Sequence, residues 1–191
     1  LLMHCDPQDP QAGVNTPEII VSCGFKQKNM QQYIDERGNE IRFTGVNWAT
    51  GFPQNVLSQI YNSMDVHALP TTGEGFGITI IEAMSCGVPN VVTNYTTTPE
   101  LLQDDGECGL AAPVTSFING GLNTRRALID HEGFANCLEL YYNSDQLRKK
   151  HGERGRQKAV SLYSLQVVLP QWQQLFAEIM EQEEGIKCAL S

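Results

Sequence analysis

Gly73-Glu74-Gly75-Phe76-Gly77-Ile78-Thr79-Ile80-Ile81-Glu82-Ala83-Met84 joins a glycine-rich loop to an apolar helix and carries two glutamates eight positions apart. Apolar stretches flank it, Val66-His67-Ala68-Leu69-Pro70 upstream and Val88-Pro89-Asn90-Val91-Val92-Thr93 downstream. The pattern predicts a loop and crossover helix between two parallel strands, hence an α/β fold. Three glycines let the backbone approach a ligand closely, and the first free N–H groups of the helix, near Gly77 and Ile78, point above the strand ends. Such a junction suits anions and polyols. A nucleotide sugar is both.

Continued through Ser85-Cys86-Gly87-Val88-Pro89, the run resembles the donor-binding domain of the family 4 retaining glycosyltransferases, which have the two-domain GT-B fold. Ile41-Arg42-Phe43-Thr44-Gly45, the helix from Val56 to Tyr61 with Asp65, Thr98-Pro99-Glu100 and Glu107-Cys108-Gly109-Leu110 follow the family's order and approximate spacing. The resemblance implies a hexosyltransferase that moves a hexose from a nucleoside-diphosphate sugar to an acceptor glycan, lipid or protein with retention of anomeric configuration. It implies that Glu74 is the catalytic-site carboxylate beside the donor sugar. The backbone at Gly75, Phe76, Gly77 and Ile78 would bind the sugar, Glu82 the ribose hydroxyls, and Gly45 and Val46 would lie by the nucleobase. No metal and no cofactor beyond the donor are implied. Stabilising the departing diphosphate is then the largest electrostatic task, and the Arg and Lys that the family supplies earlier in this domain have no counterpart here.

The residue chemistry agrees with this assignment. A carboxylate accepts hydrogen bonds from two adjacent hydroxyls, which suits Glu82 for a ribose diol. Glu74 precedes the helix and Glu82 lies about two turns into it, so at ~1.5 Å per residue their backbones stand on the order of 10 Å apart. Retaining glycosidases hold their carboxyl groups about 5 to 5.5 Å apart. The staggered pair therefore fits recognition of a donor rather than hydrolysis.

The expected architecture is a doubly wound, mostly parallel sheet with C-terminal helices, the Rossmann-like half of a GT-B fold. Strands are predicted at 1–5, 40–44, 65–70, 89–93 and 109–112, with helices at 16–23, 27–37, 53–64, 132–142, 144–161 and 165–183. By resemblance, residues 1–191 form a single nucleotide-sugar-binding domain lacking its first strand and helix, with an insertion loop at 114–130 and a terminal helix at 164–184. That missing strand would be central. Either strands 1–5 and 65–70 close up, or another chain fills the gap, or exposed sheet edges invite self-association. The acceptor would be bound through a preceding domain, and the isolated chain is expected to be marginally stable and inactive.

Composition narrows the partners. The chain has 191 residues, 41% of them hydrophobic, which predicts a globular domain. No apolar run approaches the ~20 residues of a membrane span and no signal peptide is recognisable. With 13 Lys and Arg against 22 Asp and Glu, the net charge of -9 disfavours nucleic acid. Six cysteines without Cys-x-x-Cys spacing argue against metal and redox motifs and are read as reduced thiols of a cytoplasmic protein, Cys86 being a small buried one. Asp104-Asp105 lacks the Asp-x-Asp spacing of metal-dependent transferases. Trp48 and Phe52 are placed to pack or to stack on a base. His4 and His67 lie in strands without a partnering acid or thiol and are read as structural. Arg125 and Arg126 are read as capping or solvated residues, with diphosphate binding as the alternative.

Two rival readings remain. A dinucleotide-binding domain needs a small residue at position 78, where Ile78 stands. A non-catalytic nucleotide-sugar-binding or interaction module stays open, separable from the transferase by complementation with an acceptor domain.

Overall fold

The computed structural model describes residues 1–3, 15–43, 51–103 and 107–189. The chain divides into two compact units, Leu1–Leu57 and Ser58–Ser191. In the first, β1 (Leu2–Met3), α1 (Thr16–Ser22), β2 (Lys26–Asn29), β3 (Gln32–Ile34) and β4 (Glu40–Phe43) follow in order. The sheet runs β1-β4-β3-β2, with β1 parallel to β4 and the other pairs antiparallel. Asn15 caps α1 by accepting from the Glu18 amide at 3.2 Å, as short polar residues do at helix starts. Ile20, Tyr33, Ile41 and Phe43 form the core, the rings of Tyr33 and Phe43 meeting edge to face at 6.0 Å.

The helix expected at 27–37 is not formed. Tyr33 is buried between half-buried Gln32 and Ile34, a period of two that runs of Gln and Asn disguise in the sequence. The Asp35 carboxylate then accepts from the Arg37 and Asn39 amides at 2.9 and 2.8 Å, closing a tight turn that ends the strand. Backbone pairing of Gln32, Tyr33 and Ile34 with Arg42, Ile41 and Glu40 completes the hairpin.

Helix α2 (Gln54–Asn62) contains the unit boundary. The second unit continues with β5 (His67–Leu69), α3 (Ile78–Ser85), β6 (Asn90–Thr93), α4 (Thr98–Gln103) and β7 (Gly109–Ala112). These give a parallel sheet in the order β5-β6-β7, as predicted for the flanks of the glycine-rich run. Every residue of β6 is buried, as befits a central parallel strand. Its polar members are satisfied: Asn90 Nδ2 donates to the Val88 carbonyl at 3.3 Å, and Thr93 Oγ1 to that of Thr71 at 2.6 Å. The described strands thus form separate sheets, and neither predicted strand pair 1–5 and 65–70 nor a bridging strand appears among the described pairings.

Residues 114–130, read as a loop, form an antiparallel hairpin of β8 (Val114–Asn119) and β9 (Arg125–Ile129). Asp130 then caps α5 (His131–Asn143), and α6 (Asp145–Tyr163) and α7 (Leu165–Ala189) complete the chain. The core gathers Ile80 and Met84 of α3, Val92 of β6, Leu101 and Leu102 of α4, Cys108, and Ala159 of α6. Helix α6 reaches α3 through glycines: a Cβ on Gly152 would overlap the Gly87 carbonyl, and one on Gly155 would lie 3.3 Å from Met84 Cγ. Arg156 donates to the Ser85 carbonyl at the end of α3, and Lys158 to that of Glu100 in α4 at 2.9 Å. Cys23, Cys86, Cys108 and Cys137 take part in no disulfide, and Cys86 is half-buried rather than buried. No described helix is long and apolar enough to cross a membrane.

Candidate functional site

The loop after β5 is fixed by side-chain hydroxyls. Thr71 Oγ1 accepts from the Gly73 amide and donates to its carbonyl, both at 3.2 Å. The Glu74 amide donates to Thr96 Oγ1 at 3.0 Å, and Thr97 Oγ1 donates to the Phe76 carbonyl at 3.3 Å. Thr96 itself has φ 56°, a left-handed conformation that is uncommon for a β-branched residue. The segment after β6 therefore braces the loop that carries Glu74. Gly77 closes the loop at φ 87° and ψ 48° and serves as N-cap of α3 without a side-chain cap. Hydrogen bonding along α3 begins with the Ile80 and Ile81 amides on the Gly77 carbonyl, so the amides just before them lie outside the helix's own ladder.

Helix α3 divides its residues by face. Ile80, Ala83 and Met84 are fully buried, while Ile78 is exposed and Glu82 and Ser85 are half-buried. With Phe76, Ile81 and Tyr163, these last three line a cavity of about 300 Å³. Phe76 stands edge-on to Tyr163 at 6.1 Å. Glu74, half-exposed on the loop, does not line it.

Glu82 is held from behind. Tyr61 of α2, itself buried, donates its hydroxyl to Glu82 Oε2 at 2.9 Å, which leaves Oε1 as the second acceptor. Burial, reinforced by this hydrogen bond and the carboxylate charge, pushes the Tyr61 phenol far above its usual range, so it stays a donor. The Tyr61 ring meets His67 at 5.9 Å. His67 Nδ1 lies 2.6 Å from Asn90 Oδ1, and because the Asn90 amide nitrogen is engaged with Val88, the imidazole is assigned as donor. Burial holds the His67 imidazole below its ordinary value against the raising pull of Asn90 and Glu82. His67 is thus held by Asn90 and the Tyr61 ring, with the Glu82 carboxylate near enough to act on it.

The structure places Glu74, Gly75, Phe76, Gly77, Ile78 and Glu82 along one loop and helix start, Glu74 half-buried beside the exposed Gly75 and Phe76. Gly45, Val46, Trp48, His4 and Asp104-Asp105 lie outside the described residues. The bracing roles of Tyr61 and Thr96 are absent from the sequence reading, for each acts across more than twenty residues. Among the described residues no group of three His, Cys, Asp or Glu is arranged to hold a metal.

Hairpin β8–β9 flanks the same loop. The Ala127 amide donates to the Thr72 carbonyl at 2.9 Å, and a cavity of about 810 Å³ opens between Pro70, Thr71 and Thr72 on one side and Ala127, Asp130 and His131 on the other. Arg125 and Arg126 lie in β9, so neither caps a helix. No Lys or Arg occurs in the sequence between Arg42 and Arg125.

A family model described as "Glycosyl transferases group 1" matches residues 14–122, more than half of the chain. The chain is 26% identical over 175 residues to the capsular polysaccharide biosynthesis glycosyltransferase CapM of Staphylococcus aureus, covering 88% of this chain and 42% of CapM. It is 31% identical over 111 residues to the GtfA subunit of the UDP-N-acetylglucosamine--peptide N-acetylglucosaminyltransferase of Streptococcus gordonii, covering 56% of this chain and 20% of that subunit. A solved glycosyltransferase from Rickettsia africae ESF-5 superposes with a TM-score of 0.64 at 19% identity, over 94% of this chain and 39% of that one. The chain therefore spans less than half the length of these relatives. The α/β fold with a parallel sheet and C-terminal helices is the one shared with glycosyltransferase structures.

Proposed function

From its membership of the group 1 glycosyl transferases, we propose that this chain is the donor-binding half of a retaining hexosyltransferase that uses a nucleoside-diphosphate sugar without a metal or further cofactor and serves glycan biosynthesis. The observation that carries the reading is the Tyr61-braced Glu82 on the cavity-lining side of α3, one turn after the uncapped helix start at Gly77. A carboxylate fixed through one oxygen offers the other to a ribose diol with little orientational freedom left to lose. The amides before Ile80 and the partial positive charge of the helix start are suited to sugar hydroxyls and to phosphate oxygens. Glu74, its backbone tied to Thr96, is the carboxylate assigned to the transferred sugar. The name of GtfA, which specifies UDP-N-acetylglucosamine, supports a sugar nucleotide as the class of donor.

Acceptor binding and turnover require residues beyond this chain in the proposal, so the chain alone binds donor and does not transfer it. Calorimetric titration with UDP, GDP and ADP sugars tests the assignment. Saturable binding of one of them is expected, weakened at least tenfold in Glu82→Ala. Binding unchanged in Glu82→Ala, or turnover of a sugar nucleotide onto an acceptor by the chain alone, contradicts it.

A further inference from the structure

A diphosphate beside Glu74 and Glu82 needs positive charge, and the sequence from 43 to 124 supplies none. The first cation after that gap is Arg125, and the fold returns it to the loop. Its carbonyl accepts from Tyr95 Oη at 3.1 Å, and the Tyr95 ring lies 3.5 Å from where a Cβ on Gly73 would stand. The next residue after Tyr95 is Thr96, whose hydroxyl holds the Glu74 amide. Arg125 is thus joined through two side chains to the residue assigned to the donor sugar.

The guanidinium is also pre-placed. Along β9 the side chains of Arg125 and Ala127 share a face, and Ala127 pairs with Phe117 across the hairpin. That face is the one turned to the loop, since Ala127 is fully buried and the Phe117 ring packs on Tyr95 at 5.2 Å. Arg125 Cζ lies 3.8 Å from the Phe117 ring centroid, stacked as a cation on an aromatic face. Arg126 falls on the opposite face with Ile118 and Leu128 by the same alternation. A planar guanidinium that is always charged and held on a shelf presents its N–H fork to phosphate oxygens.

We infer that hairpin β8–β9 is a wall of the donor site and that Arg125, its guanidinium stacked on Phe117 and its carbonyl held by Tyr95, binds the diphosphate of the nucleotide. The inference rests on the donor-binding function proposed above and adds the group that compensates the diphosphate charge. Arg126, on the other face, has no part in it.

The test compares nucleotide and nucleoside binding by the full chain. UDP, GDP and ADP are titrated first, and the tightest binder is then compared with its nucleoside in Arg125→Ala, Arg125→Gln, Arg125→Lys, Phe117→Leu and Arg126→Ala. Loss of one charge-assisted contact is expected to weaken the diphosphate about tenfold or more in Arg125→Ala and Arg125→Gln. Nucleoside affinity stays within about twofold, Arg125→Lys and Phe117→Leu fall between, and Arg126→Ala matches the unsubstituted chain. Diphosphate affinity that is indifferent to Arg125, or lost in equal measure with nucleoside affinity, overturns the inference while leaving donor binding intact. Failure of the unsubstituted chain to bind any of the three nucleotides overturns both.

Discussion

Replacing Gly77 by alanine perturbs the loop and the helix together. At φ 87° and ψ 48° an L side chain costs about 1–2 kcal/mol. The added Cβ would also stand 2.9 Å from Leu101 Cδ1 and 3.0 Å from Ile80 Cδ1, and both side chains belong to the closed core. Overpacking of that kind costs about 1–3 kcal/mol. Summed, Gly77→Ala should lose about 2–5 kcal/mol of the roughly 5–15 kcal/mol that stabilises a domain. That corresponds to roughly 4–20 °C in melting temperature for a chain of this size. Urea unfolding followed by far-ultraviolet circular dichroism measures it. Gly77→Asn separates the two contributions, since asparagine tolerates the left-handed region while bringing the same Cβ, and should recover only the conformational part. In Gly77→Ala/Leu101→Ala the contact with Leu101 is gone, so the two substitutions should be less damaging together than their separate losses added. A Gly77→Ala chain within about 0.5 kcal/mol of the unsubstituted protein would show that neither the backbone conformation nor the contact is real.

Gly152→Ala sets helix propensity, which favours alanine by about 1 kcal/mol, against overlap with the Gly87 carbonyl; the overlap should dominate and lower the unfolding free energy by about 2 kcal/mol or more, read from the same urea curves. Tyr61→Phe removes the donor to Glu82 Oε2 and should cost about 1 kcal/mol of stability together with a several-fold loss of sugar-nucleotide affinity, whereas unchanged affinity would mean Glu82 needs no brace. Leu102→Ala, at a fully buried position, should cost about 2–5 kcal/mol in the same unfolding assay. Burial holds both His67 and His151 below the ordinary histidine value of 6.5, so the unfolded chain binds more protons than the folded one below that pH. Their contribution is complete above about pH 6.5 and lost as the pH falls through the folded-state values. Urea midpoints measured from pH 7.5 to 5.5 should therefore decline, above the range where the carboxylates protonate, and a flat or rising profile would contradict the assignment.

What the sequence made legible follows from how local each signal is. The run from Gly73 to Met84 carries its own loop, helix and flanking strands, and β5, α3, β6 and β7 stand where the pattern puts them. The stretch 27–37 was illegible because its one buried anchor, Tyr33, is set among polar residues whose strand partners lie beyond a turn. Residues 114–130 concealed a hairpin because Asn119-Gly120-Gly121-Leu122-Asn123 reads as loop in either case, while the pairing of Phe117 with Ala127 is visible only in space. Of the candidate site, the loop glycines and the two glutamates are proposed from spacing and from the family they resemble. The hydroxyl of Tyr61 and the left-handed Thr96 were not legible, because a brace from another element leaves no periodic trace.

Helix α3 interleaves two sets of residues along eight positions: Ile80, Ala83 and Met84 are sealed from solvent, and Ile78, Ile81, Glu82 and Ser85 face the cavity. Tolerance to change should alternate with the same rhythm. A combinatorial library confined to 78, 81, 82 and 85 would vary the cavity lining on an intact scaffold, whereas randomising 80, 83 and 84 would mostly return chains that do not fold. On this helix, tolerated variation is therefore confined to the single stripe that lines the cavity.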